Sequence, residues 1–307
     1  MIMAIFGAVS QGLIWAILAL GVYLTFRILN FADMSCEGSF ALGGSICAML
    51  MVKQQWNPFA TFIIAILAGM AAGFVTGFLH TKLKIPAILS GILTMIGLYS
   101  INLRIMGQAN TSLIGQTTII SFFKGLLPEA KELGIKDSTL QTWVTIGVGL
   151  LCIIAVIAVL YWFFGTEIGC CIRATGNNEN MVRAQGVNTD KMKILGLVIS
   201  NGLIAFAGAL VTQSQGFADV NMGVGAIVIG LASIVIGEVM LNRIKNFAGK
   251  LVAILLGSVI YRIIIAIVLR LGMDTNDMKL LTAVVVALAL SIPVFKKKKI
   301  TVRREEI

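Results

Sequence analysis

Charge is scarce in this chain. Asp, Glu, Lys and Arg make up 12% of 307 residues, where soluble domains carry about a quarter, so a soluble globular protein is excluded. His80 is the only histidine; mechanisms that need paired imidazoles are impossible, and His80 reads as the cap of a span. The five cysteines follow neither metal nor disulfide spacing. Cys36, Cys47 and Cys152 lie in or near apolar runs, and Cys170 adjoins Cys171 at a helix end, so they read as small hydrophobes in a reducing compartment. Also missing are a Gly-x-x-x-x-Gly-Lys-[Ser/Thr] loop, a His-Glu-x-x-His pair, a Gly-x-Ser-x-Gly elbow and an acidic pair placed for acid–base work. The chain is therefore expected to be no enzyme and to hold no cofactor and no metal; its energy comes from another subunit or an ion gradient. The net charge is +10, but the basic residues sit beside apolar runs, where cytoplasmic bias explains them, and a nucleic-acid partner is set aside.

What abounds is apolar sequence, 58% of the chain. A helical span takes about 20 such residues. The runs 3–26, 39–52, 58–80, 87–103, 142–164, 194–213, 223–241, 247–271 and 280–294 predict an all-α, polytopic bundle of about 8–9 spans in a single membrane domain over 1–307. The first run lacks a basic start and reads as a span, not a cleavable signal. The second is short and follows the polar stretch 27–37, so it reads as a broken helix that crosses or re-enters. Lys82 and Lys84, then Arg173, Arg183, Lys191 and Lys193, then Arg243, Lys245 and Lys250, then the basic tail 295–307 fall on one side, predicting the cytoplasm of an inner-membrane protein with its carboxyl terminus inside. Glu129, Glu132, Asp137, Asp219, Asp274 and Asp277 fall opposite. The interval 104–141 on that side predicts a loop with an interfacial helix over 118–127. Gly69, Gly73 and Gly77 mark one helix face for close packing, within the bundle or at a dimer seam.

One polar interval stands out. Residues 165–193 lie between two spans, and within them the glycines at 176 and 186 punctuate two short helices. Ile172, Met181, Val182 and Ala184 offer small apolar contacts there. The string Ile172-Arg-Ala-Thr-Gly-Asn-Asn-Glu-Asn-Met-Val-Arg-Ala-Gln-Gly-Val-Asn188 resembles the coupling segment of ABC importer permeases of the branched-chain amino-acid and ribose type. A second string, Asn30-Phe-Ala-Asp-Met-Ser-Cys-Glu-Gly-Ser-Phe-Ala-Leu-Gly-Gly44, resembles the Asn-Phe-Ala signature of the same family; here Asp33 stands where its branched-chain members usually carry His or Gln, a departure that bears on the substrate. The resemblance implies a permease subunit moving a small polar solute, an amino acid first, a sugar or nucleoside second. It implies as partners a cytoplasmic ATP-binding subunit, an extracytoplasmic substrate-binding protein and a second permease copy, identical or paralogous. It places Arg173, Ala174, Gly176, Asn177, Asn178, Met181, Arg183, Ala184 and Gly186 against the ATPase.

The chain also repeats itself. Ser10, Gln11, Gly12, Leu13 and Ile14 recur as Ser200, Asn201, Gly202, Leu203 and Ile204, and Phe31, Ala32, Asp33 and Met34 recur as Phe217, Ala218, Asp219 and Val220. The span count gives the copies opposite orientation, an inverted repeat of the kind that brackets a transport pathway. Asn30, Phe31, Asp33, Glu37, Phe217, Asp219 and Arg262 are the candidates for that pathway or its gate. Asn30, Asp33 and Glu37 line a cavity or bond to one another and to Arg27. Arg262, roughly 13 Å inside its span at 1.5 Å per residue, needs Asp33, Glu37 or a substrate carboxylate as partner. The competing reading is an ion-coupled carrier with Asp33, Glu37, Asp219 and Arg262 as a relay.

Overall fold

The computed structural model describes residues 2–128, 136–241 and 246–270 and, within 280–291, residues 280, 282–284, 286, 287 and 291. Its helices are α1 (Ile2–Tyr23), α2 (Ser35–Gln54), α3 (Pro58–Thr81), α4 (Ala87–Met106), α5 (Ile119–Gly125), α6 (Asp137–Gly165), α7 (Glu167–Asn177), α8 (Glu179–Ala184), α9 (Thr189–Gln215), α10 (Ala226–Met240) and α11 (Phe247–Arg270). A short antiparallel ribbon pairs β1 (Asn110–Ser112) with β2 (Phe217–Asp219). Among the described residues, 7 helices are long and apolar enough to cross a membrane. The chain is an all-α, multi-pass membrane bundle.

Local chemistry sets the helix ends. Asn57 accepts from Phe59 N–H at 3.0 Å ahead of Pro58, whose missing N–H costs nothing in the first turn. Gly107 (φ 77) and Gly216 (φ 78) close α4 and α9 in the left-handed region. Residues 12–23 of α1 are all buried because α6, α9, α10 and α11 surround it; a helix apolar on every side is stable only in such a place. Gly69, Gly73 and Gly77 lie along α9, where a Cβ would meet Asn201, Leu197 and Ile194 respectively, so the glycine face is an internal seam.

The inverted repeat is visible in the packing. Helix α1 lies on α11 as α9 lies on α3, and α2 packs on α3 as α10 packs on α11. Helices α1 and α9 run antiparallel, since a Cβ on Gly21 would meet Ile204 and one on Gly196 would meet Leu29. The matched aspartates make the same local turn: Asp33 Oδ1 accepts from Ser35 N–H at 2.9 Å, and Asp219 Oδ1 from Asn221 N–H at 2.7 Å.

Several boundaries differ from the sequence reading. Helix α1 runs on through a π-helical turn, Leu24–Ile28, and the break near the amino end occupies 29–34. After it α2 starts at Ser35, ahead of its apolar run, and its 20 residues make about 30 Å, enough to cross. The run read from 223 gives a helix only from Ala226, 15 residues long, because residues 220–225 form a second break. The long loop does hold a helix in the expected interval, α5, capped by Thr118. The last run is only partly described, with Val286 packed beside Tyr261 and Ile265; the tail 295–307, Arg243, Lys245, Glu129, Glu132, Asp274 and Asp277 lie outside the described residues.

Candidate coupling and translocation sites

Three side-chain caps build the interval 165–193. Thr166 accepts from Gly169 N–H, Asn178 from Met181 N–H and Asn188 from Lys191 N–H, at 3.3, 3.1 and 3.1 Å, starting α7, α8 and α9 in turn. Ile172 and Val182 are buried; they anchor the segment to the bundle and, contrary to the sequence reading, offer nothing to a partner. The exposed face carries Asn177, Asn178, Met181, Arg183, Ala184 and Gly186, with Met181 48% exposed. Ala174 is half-buried.

Two of the expected contact residues have internal work. A Cβ on Gly176 would collide with the Ile28 carbonyl, so this glycine is required by α7 lying against the π-helical turn. Arg183 Nη2 donates to Glu179 Oε1 and to Thr189 Oγ1, both at 2.9 Å, while Lys193 Nζ donates to Glu179 Oε2 at 2.7 Å. This clasp ties α8 to α9. The hydrogen-bonded Lys193 ammonium holds the Glu179 carboxyl below its ordinary pKa. Gly186 has φ 83 in open space and serves the turn into α9.

The two strings that resemble the family meet in one place. A cleft of about 520 Å³ is lined by Arg27, Asn30, Arg173, Gly176, Asn177 and Lys250, among others. Asn30 adopts φ 53, a left-handed conformation that asparagine tolerates. Arg173 lies 5.5 Å from the centre of the Phe247 ring and donates to Cys170 Sγ at 3.1 Å. Arg27 pairs with Glu238 at 2.5 Å, so the idea that Arg27 pins Asn30, Asp33 and Glu37 is corrected. Sequence separation hid this cleft; nothing in either string announces the other.

Asp33 is sealed. It is 0% exposed and accepts from Ser35 N–H, from Ser35 Oγ at 2.5 Å and from Asn201 Nδ2 at 2.8 Å. Asn201 lies about 18 Å along α9 from Thr189, so residues 29–34 climb from the α7 end deep into the bundle. Phe31 is buried too, edge-on to His80, whose Nδ1 is 2.9 Å from the Ile85 carbonyl oxygen at the end of α3.

Glu37 has a different task. Its Oε1 accepts from Gly225 N–H at 2.9 Å, at the start of a helix that has no cap of its own; a carboxylate there complements the helix dipole. A Cβ on Gly223 would strike the Glu37 carbonyl, so the second break reaches in from the β1–β2 end as the first does from the α7 end. Phe217 and Asp219 belong to β2, where Asp219 opposes Asn110, and the structure does not bring them to Asp33 or Arg262.

Arg262 has none of its expected protein partners. Its Nη1 donates to Gln11 Oε1 at a long 3.4 Å, its guanidinium lies 4.1 Å from the centre of the Trp15 ring, and Nε has no acceptor among the described residues. With Asp33 closed on Asn201 and Glu37 on Gly225, a proton relay through these groups has no geometric basis. Among the described residues no cluster of His, Cys, Asp and Glu is fit to hold a metal.

Comparison with known proteins bears on the whole chain. Residues 4–292 match the family described as branched-chain amino acid transport system / permease component. The chain is 41% identical over 282 residues to the tyrosine transport system permease protein of Clostridioides difficile (strain R20291), spanning 92% of this chain and 88% of that protein. It is 25% identical over 290 residues to the ribose import permease protein RbsC of Escherichia coli (strain K12), spanning 94% and 84%. It is 30% identical over 236 residues to the autoinducer 2 import system permease protein LsrC of Photorhabdus laumondii, spanning 76% and 64%.

Proposed function

The chain belongs to the branched-chain amino acid transport permease family, and from that premise we propose that it is the membrane subunit of an ABC importer for an amino acid, driven by a separate ATPase docked on α7 and α8. The observation that carries the docking is the exposed surface of Asn177, Asn178, Met181, Arg183 and Ala184, held rigid from beneath by Ile172, Val182 and the Glu179 clasp. A partner cleft can grip such a surface because its own chain already fixes the shape. Asn30 and Arg173 on one cleft wall give a mechanical route: movement of α7 presses on the π-helical turn through Gly176 and Ile28, and thence on the break at 29–34. The α7 end then faces the cytoplasm, with the carboxyl terminus on the same side, and the β1–β2 end receives an extracytoplasmic binding protein. The second permease copy completes the pathway.

The amino-acid assignment leans on the tyrosine permease as a relative at 41% identity; a sugar is the alternative the ribose relative supports. Gly186→Trp would confuse backbone strain with loss of docking, because position 186 has positive φ. Met181→Asp avoids this. In proteoliposomes holding both subunits, it is expected to lower substrate-stimulated ATP hydrolysis by about tenfold or more, since truncating or charging a central contact costs about 2 kcal/mol, with membrane insertion unchanged. Parental stimulation in that variant removes α8 from the interface.

A further inference from the structure

Between α2, α4 and the second break lies an open cleft of about 370 Å³, at the small end of ligand-sized sites. Its walls are mostly apolar, with Ala41, Met95, Tyr99 and Val224 among the lining residues. Three oxygen-bearing side chains line it, Tyr99 with its phenol and two that offer carbonyl or carboxylate oxygens, Glu37 and Asn102. Asn102 is 0% exposed. Its Nδ2 donates to the Gly38 carbonyl at 3.3 Å, which fixes the amide, and its Oδ1 has no donor. A buried acceptor without a donor costs free energy unless something fills it. Glu37 spends Oε1 on Gly225, and no Lys or Arg among the described residues forms an ion pair with it. The cleft thus offers acceptors and no cation, beside an apolar wall.

We propose that this cleft binds a primary ammonium group, with Asn102 Oδ1 and the Glu37 carboxylate as its acceptors and the apolar wall holding the rest of the molecule. An ammonium is the head group that fits: it carries positive charge and three donors in a compact space, whereas a carboxylate or phosphate would meet the Glu37 charge. A sugar hydroxyl can serve Oδ1 but brings no charge for Glu37 and gains little from the apolar wall. In the importer the ammonium is that of the carried amino acid, whose own carboxylate turns away from Glu37 to the open side of the cleft; this identity rests on the amino-acid reading, while the preference for an amine does not. Glu37 also caps α10, so an occupied cleft and the start of that helix share one side chain.

The test uses the assembled transporter in membrane vesicles with Val224→Cys as a reporter at the exposed rim, and reads modification of that thiol by a water-soluble maleimide through mass spectrometry. L-tyrosine and tyramine are expected to slow labelling several-fold, and p-cresol, which lacks the amine, to leave it unchanged. Adding Asn102→Leu or Glu37→Gln to the reporter is expected to abolish the protection, either variant sufficing if the other fails to assemble. Equal protection by tyramine and p-cresol, or none by either amine, overturns the site. Uptake of labelled L-tyrosine by the reporter transporter separates the two readings. Amine-selective protection without uptake keeps the site and removes tyrosine as the carried amino acid, and uptake without amine-selective protection sinks the site and keeps the importer.

Discussion

Gln11 and Asn201 hold the same place in the two copies of the repeat, and the halves treat them differently. Asn201 lies opposite Gly73 of α3; the absent side chain leaves room for its amide, which donates to Asp33 at 2.8 Å and to the Leu197 carbonyl at 3.1 Å with 0% exposure. Gln11 is exposed and meets Arg262 of α11, whose guanidinium also covers Trp15. One half closes a polar cluster on itself. The other leaves a guanidinium that its own chain does not neutralise among the described residues. A repeat therefore conserves where a polar group sits, while its consequence depends on what the facing helix supplies. A charge at such depth is stable only towards a protein or water-filled space, so the α1–α11 face around Arg262 is not expected to lie against lipid.

The comparison breaks most sharply at Asn201. Asn201→Leu strands a buried Asp33 carboxyl and is expected to cost about 3 kcal/mol, seen as a lower melting temperature and poor assembly in detergent; adding Asp33→Ala is expected to recover part of it. A single variant as stable as the parent would mean that the closed half is not closed by this pair. A smaller effect is expected in the open half. Arg262→Gln loses the ring contact, about 0.5–1 kcal/mol, and is expected to assemble while uptake falls; a loss as large as that of Asn201→Leu would show that Arg262 is as deeply built in.

The smallest effect sharpens the contrast with the clasp outside the bundle. The folded-state pKa of Glu179 is depressed, chiefly by Lys193. Its contribution is thus present above the ordinary carboxylate pKa and is lost as pH falls through the depressed value. The protection factors of α8 amides, which are exchange rates corrected for their intrinsic pH dependence, are expected to fall over that acidic range by an amount reflecting a few tenths of a kcal/mol, the scale of a helical ion pair. In Glu179→Gln that pH dependence is expected to vanish; its survival would assign the clasp to other groups.

Periodicity and composition determined much of this protein without coordinates. Runs such as 58–80 and 142–164 are long, apolar and free of Asp, Glu, Lys and Arg, and no fold but a spanning helix satisfies their backbone in lipid. Polarity and the glycines at 176 and 186 made the two short helices of the interval 165–193 legible, although Gly176 lies inside α7 and the caps Thr166, Asn178 and Asn188 went unread; the repeat was legible too, being a matter of residue identity alone. What the string could not hold is which way a side chain turns. Ile172 and Met181 look alike in sequence, yet one is core and the other surface. Asp33 and Glu37 are four positions apart, yet one seals against Asn201 and the other caps α10, because those partners arrive from residues 168 and 188 positions away. Hydrogen bonds are satisfied in space, and at such separations only the packing of helices, set by glycines such as Gly73 and Gly223 that let backbones touch, decides which donor each acceptor meets.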